Sequence, residues 1–192
     1  MEYYRSEVTP DPEIPGYRRA LMDVFETILL SLVLFLGINA VSSRIRVESI
    51  SMQPTLYAGN FVLVNKVAYR FGSPSRGDII VFRYPPDPTQ VPYIKRVIGL
   101  PGDRIRIVDG KVYINDQLFT EPYLTVTTQR GGTWDVPQNS LFVMGDNRNN
   151  SSDSRSWGWV PLQNIIGKAE VIYWPPQKWS LLNFPSAAAA QP

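Results

Sequence analysis

Three stretches of this 192-residue chain hold residue types at spacings that can do chemistry: the serine pair in "VESISMQPTL", the lysine in "PYIKRVIGLPGD", and the polar run "GDNRNNSSDSRSWGWVP". The chain contains no histidine and no cysteine. That excludes the Ser-His-Asp triad, thiolate nucleophiles, disulfides, and both imidazole and thiolate metal sites. A proton shuttle must therefore be a retuned Lys, Asp, Glu or Tyr. If "IRVESIS" is extended, Ile45, Val47, Ser49 and Ser51 share one face, and two residues of strand rise set the hydroxyls roughly 6.6 Å apart. Pro54 biases Gln53 toward extended backbone, so "SMQPT" is expected to bend and end the strand at its serine. The same residues also read as an ordinary serine and threonine turn.

In "PYIKRVIGLPGD", alternation puts Tyr93, Lys95 and Val97 on one face and Ile94, Arg96 and Ile98 on the other. Burial disfavours the ammonium form and can lower a lysine pKa by about 3 to 5 from a reference near 10.4. A lysine so placed can act as a general base for serine where imidazole is absent. The alternative is a lysine at a strand edge, placed to block aggregation. The polar run gathers Asp146, Asp153, Arg148, Arg155, three asparagines and several serines. A calcium loop fails on spacing, because Arg148 stands where an oxygen ligand is required. A solvated turn remains open, but convergent polar groups on one loop more often build or support a site. Ion pairs between its acids and arginines would hold the loop rigid and leave a serine to orient another side chain.

These stretches need a scaffold, and the chain supplies two kinds. A polar, proline-bearing start gives way to "TILLSLVLFLGINAVSS", Thr27 to Ser43, without a charge. At about 1.5 Å per residue this covers about 25 Å of a hydrocarbon core near 30 Å thick; adding residues 20–26, with Arg18 and Arg19 snorkelling, completes a span. A buried core helix would show a polar face, and a cleaved secretory signal ending at Ala40 would place bulky Ile38 where a small residue is required. Arg5, Arg18 and Arg19 precede the span and Arg44 and Arg46 follow it, a slight vote for a cytoplasmic amino terminus.

After Val41 the runs "RIRVESI", "NFVLVNKVAY", "DIIVFRY", "YIKRVIG", "DRIRIV", "KVYIND", "LFVMGD" and "AEVIYW" alternate or are β-branched. Asp109-Gly110 between two of them marks a tight hairpin. The expected fold is therefore mainly β: an antiparallel β-sheet domain at 44–184, behind a transmembrane helix at 20–43. Residues 1–19 form a cytoplasmic tail and 185–192 a disordered one. The formal charge of +2, with acids and bases interspersed, lacks the basic patch of a nucleic-acid binder.

Taken in order, "SMQPTL", "YIKRVIGLPGD" and "GDNRNNSSDSRSWGWVP" resemble the type I signal peptidases, membrane-anchored serine proteases that remove signal peptides from exported proteins. The resemblance covers most of the chain after the anchor. It implies Ser51 as nucleophile and Lys95 as general base. The oxyanion hole would comprise the Ser49 hydroxyl and the Ser51 N–H, and Ser151 would orient Lys95. Asp146, Asp153, Arg96 and Arg155 would be structural supports, with Arg96 paired to Asp146, and Ile45, Val47, Met52, Tyr93 and Ile94 would line the substrate pocket. Two positions depart from the family pattern: Ile50 stands where many members have glycine, and Asn149 replaces a common aspartate. No cofactor and no metal are implied. The implied partners are precursor proteins and the lipid bilayer, with the enzyme acting as a monomer and its catalytic domain on the trans side, in a periplasm, cell exterior or thylakoid lumen. Ser51 lies ten residues beyond Val41, so an extended chain keeps it within about 36 Å of the membrane. Two rivals are a self-cleaving regulatory Ser/Lys protease, which would carry a DNA-binding domain in place of the span, and a tethered binding module, which would lack Ser51 or Lys95.

Overall fold

A computed structural model describes residues 16–124 and 126–182. The expected disordered tail and most of the expected cytoplasmic tail lie outside those residues. Helix α1 runs Gly16–Val41, and none of its residues is buried. Its 26 residues rise about 39 Å, long and apolar enough to cross a membrane. Its serine and threonine hydroxyls are satisfied within the helix, Thr27 Oγ1 donating to the Asp23 carbonyl and Ser31 Oγ to the Thr27 carbonyl, each at 2.7 Å. The helix begins four residues before the expected boundary and ends two before it. Its end is set by pairing, since Ser42 and Ser43 already face Asn65 and Val64 in a β-ladder. Contacts divide the chain between Ala40 and Val41.

The strands of the second unit pair antiparallel. In chain order its strands are β1 (Ser42–Arg46), β2 (Phe61–Asn65), β3 (Ile79–Phe82), β4 (Tyr93–Gly99), β5 (Arg104–Val108) and β6 (Lys111–Ile114). They continue as β7 (Gln117–Leu118), β8 (Gly132–Asp135), β9 (Ser140–Met144), β10 (Val160–Pro161), β11 (Ile165–Trp174) and β12 (Ser180–Leu181). One sheet has the order β1-β2-β11-β3-β4-β9-β10, with β12 added to β11, and a smaller one has the order β7-β6-β5-β8. The β5–β6 turn carries positive φ at both Asp109 (50°) and Gly110 (75°), the two-residue hairpin that the dipeptide predicts.

β4 holds the unit together. It lies between β3 and β9, and from Ile94 to Gly99 every residue is buried. Three apolar clusters meet on it: Ile94 joins the one containing Met52, Leu56 and Val62, Val97 the one with Ile80, Phe82 and Leu141, and Ile98 the one over the smaller sheet with Ile105 and Phe142. A residue in the middle of this strand is fixed from both faces. Lys95 therefore does not guard a strand edge.

Candidate active site

β1 stops at Arg46, so the extended run expected to reach Ser51 does not form. Val47 still bonds across to Asn60, its N–H donating to the Asn60 carbonyl at 2.8 Å, but the chain then coils into a tight turn over residues 51–55. Core burial drives that turn: Met52 and Leu56 are both fully buried, and the Leu56 N–H donates to the Met52 carbonyl at 2.8 Å. Coiling brings the two hydroxyls together. Ser49 Oγ and Ser51 Oγ are 3.0 Å apart and share a hydrogen bond, far closer than strand spacing would put them. Met52, expected in the pocket, is in the core instead.

Lys95 reaches Ser51 from the centre of β4. Its Nζ lies 2.7 Å from Ser51 Oγ and donates to the Ile94 carbonyl at 3.1 Å, with the side chain 4% exposed. Burial lowers its pKa from 10.5 to about 8, against the opposing pull of the Asp153 and Asp146 carboxylates. Those carboxylates are already occupied. Arg96 grips Asp146 with two bonds, Nε to Oδ1 at 2.8 Å and Nη2 to Oδ2 at 2.6 Å, and Thr55 Oγ1 donates to Oδ2 at 2.5 Å. Arg155 grips Asp153 in the same way at 2.8 and 2.7 Å, and Asp153 Oδ2 also accepts from the Gly145 N–H at 3.0 Å. Asp153 also caps the one-turn helix α2 (Ser154–Trp157). The Arg96–Asp146 pair named by the resemblance is present, and both it and the Arg155–Asp153 pair are buried.

The polar loop lies directly on the Ser51 backbone. A Cβ on Gly145 would sit 2.4 Å from the Ser51 carbonyl oxygen and 2.3 Å from Ser151 Oγ, so only glycine allows this approach. Ser151 is thus brought to the site, yet its buried hydroxyl has no hydrogen-bond partner among the described residues. Lys95 is held by Ser51 and Ile94 rather than by Ser151.

Several residues here carry no local signal in the sequence. Thr55 reaches Asp146 across 91 residues, and Arg148 forms a two-bond pair with Glu121 across 27. Tyr123 donates to Glu121 at 2.5 Å and lies under the Arg96 guanidinium, 3.9 Å from ring centre to charge. Burial and the neighbouring Glu121 push its phenol well above the ordinary value, so it remains a donor. Asn147 donates to the Ser51 carbonyl through its N–H and to the Ile50 carbonyl through Nδ2.

A groove of about 570 Å³ opens beside the serines. Ile45, Val47, Tyr93 and Ile94 line it, together with Ser49, Ser51 and Lys95. Arg44, Arg46 and Glu48 add a charged rim.

The family model described as "Signal peptidase, peptidase S26" matches residues 21–174. The chain belongs to this signal peptidase family. Signal peptidase I of Leptolyngbya laminosa is 42% identical over 188 residues, covering 87% of this chain and 91% of that protein. A probable signal peptidase I of Synechocystis is 40% identical over 178 residues, covering 88% and 90%. Thylakoidal processing peptidase 1 of Arabidopsis thaliana is 37% identical over 152 residues, covering 74% of this chain and 45% of that one. Within this signal peptidase the two departures from the family pattern are accommodated. Ile50 is half exposed and crowds nothing in the core, while Asn149 accepts from the Gln129 N–H at 3.0 Å and donates to the Thr127 carbonyl at 3.1 Å.

Proposed function

We propose that this serine endopeptidase removes amino-terminal signal peptides from exported precursors, cutting after small residues of the Ala-X-Ala type, with Ser51 as nucleophile and Lys95 as general base. The observation that carries this reading is the 2.7 Å contact between Lys95 Nζ and Ser51 Oγ in a site without imidazole. With its pKa near 8, a substantial fraction of the amine is neutral at mildly alkaline pH. Neutral Nζ takes the Ser51 proton as Oγ attacks the scissile carbonyl. The oxyanion accepts from Ser49 Oγ and the Ser51 N–H, which stabilise it more than the neutral carbonyl. The tetrahedral intermediate collapses, the C–N bond breaks, and the lysine proton passes to the departing amine. Neutral Lys95 then activates water, and hydrolysis of the acyl-enzyme regenerates Ser51. Ser151, buried beside Gly145, is the hydroxyl proposed to orient Lys95 during these transfers; a buried hydroxyl left unpaired is destabilising by about 1 to 3 kcal/mol, which favours such a partner.

The groove supports the substrate class. Branched side chains at Ile45, Val47 and Ile94 leave shallow apolar space suited to small substrate residues, and β1 is an edge strand along the groove, as addition of an extended peptide requires. The apolar helix α1 would anchor the monomeric enzyme by a single span, with the amino terminus cytoplasmic and the β unit on the trans side where translocated precursors emerge. Incubation of the detergent-solubilised chain with a precursor whose signal peptide ends in Ala-X-Ala tests the reading. The chain should release the mature protein and Ser51→Ala should not; a precursor left intact by both would overturn it.

A further inference from the structure

The Ser51 N–H can serve an oxyanion only if its peptide plane is aimed at the groove, and on the amino-terminal side of that plane packing is slight. Ser49 and Ile50 are exposed, and burial begins only with Ser51 itself and Met52. What fixes it is Asn147. Its Nδ2 donates to the Ile50 carbonyl at 3.1 Å, and its backbone N–H donates to the Ser51 carbonyl at 3.0 Å. One residue thus holds both carbonyls that flank the nucleophile. The Ile50–Ser51 bond is trans, and in a trans peptide C=O and N–H point in opposite directions. Anchoring the Ile50 carbonyl to the polar loop therefore turns the Ser51 N–H away from that loop. The Gln53 N–H donates to the same carbonyl at 3.1 Å, and a doubly bonded carbonyl polarises its own N–H as a donor. Asn147 is itself secured, following the Asp146 that Arg96 grips, with its Oδ1 accepting from Asn150 Nδ2 at 3.4 Å. The missing Cβ of Gly145 is what lets this segment come so close to Ser51.

We propose that Asn147 is the positioning residue of the oxyanion hole, its side-chain amide holding the Ile50–Ser51 peptide so that the Ser51 N–H faces the developing negative charge. The inference rests on the assignment of Ser51 as nucleophile. Without the Nδ2 bond the Ile50 carbonyl keeps only the Gln53 N–H, and the peptide, exposed on its Ile50 side, can tilt, which turns the donor away from the hole and a carbonyl lone pair toward it. Loss of a whole oxyanion donor lowers kcat by about 100- to 1,000-fold, so loss of its aim should lower kcat somewhat less, about 10- to 100-fold.

The test compares the wild-type chain with Asn147→Ala and with the near-isosteric Asn147→Asp, using a precursor peptide and a peptide aldehyde of the same sequence, which adds to Ser51 as a tetrahedral adduct. Both variants should lose kcat with KM within about twofold, and aldehyde affinity should fall by the same factor as kcat. In Asn147→Ala the midpoint of the pH profile should stay where it is in the wild type, because Lys95 is untouched. A rise in KM with kcat kept, or unchanged aldehyde affinity in both variants, overturns the proposal. If the wild type itself forms no adduct at Ser51, the nucleophile assignment fails, and this inference falls with it. If the wild type forms the adduct and the variants bind the aldehyde as tightly, only the role of Asn147 fails.

Discussion

Lys95 and Arg96 are consecutive residues of β4, and alternation sends their side chains to opposite faces of one buried strand. Both are almost fully buried, at 4% and 3% exposure. Arg96 meets a carboxylate through two bonds, whereas Lys95 meets a hydroxyl and a backbone carbonyl. Burial disfavours each cation, but a guanidinium keeps its proton and needs an anion, while an ammonium can give its proton up. The carboxylates near Lys95 are held by arginines, which would let a buried lysine act as the proposed base beside two buried acids. On that proposal Arg96 and Arg155 would serve the chemistry as well as the structure.

Lys95→Arg breaks the contrast most completely, because it puts a permanent charge where a removable one is needed. Activity on a precursor should fall by more than about 1,000-fold, at the upper range of general-base contributions, as read in a single-turnover cleavage assay. Arg96→Met breaks the other side by leaving Asp146 buried without its cation. Chemical denaturation should show a loss of about 3 to 5 kcal/mol, and any folded fraction should have its Lys95 midpoint raised. Lys95→Met separates burial from chemistry. In the wild type the folded pKa lies near 8 against 10.5 unfolded, so the unfolded state binds more protons between those values and stability rises with pH across that window. The rise should be on the order of 3 kcal/mol, and the methionine variant should lack it. Thr55→Val sharpens the account by trimming the Arg96 side alone. Removing one hydrogen bond to the Asp146 carboxylate should lower stability by about 1.5 kcal/mol in the same denaturation experiment, with the pH profile nearly unmoved.

Local patterns carried the strands that matter most. "YIKRVIG" forms β4 with the expected limits, and Asp109-Gly110 makes its hairpin, because a period of two and a turn dipeptide are properties of neighbouring residues. Alternation misled at β1. The pattern runs on through Val47 and Ser49, but burial of Met52 and Leu56 bends the chain earlier, and that burial depends on strands far away in sequence. The same contacts take Met52 out of the pocket. Strands β7, β10 and β12 are two residues long and too short to show a period. Within the site, Lys95 stood out because the chain has no imidazole, while the choice of Ser51 over Ser49 came from the resemblance. Arg96 and Asp146 were paired only by resemblance. Glu121, Thr55 and Asn147 were passed over, since nothing near them in the sequence records partners 27, 91 and 96 residues away.

Direct titration of Lys95 tests the central claim that a buried lysine is a base because its neighbouring acids are already paired. The lysine ε-carbon shifts of detergent-solubilised chain, assigned by comparison with Lys95→Met, would be followed against pH beside the pH profile of kcat/KM. Lys95 should titrate near 8, and activity should rise through the same midpoint as the amine loses its proton. Titration of Lys95 near its ordinary value of 10.5, with activity already at its plateau at pH 7, would contradict the account.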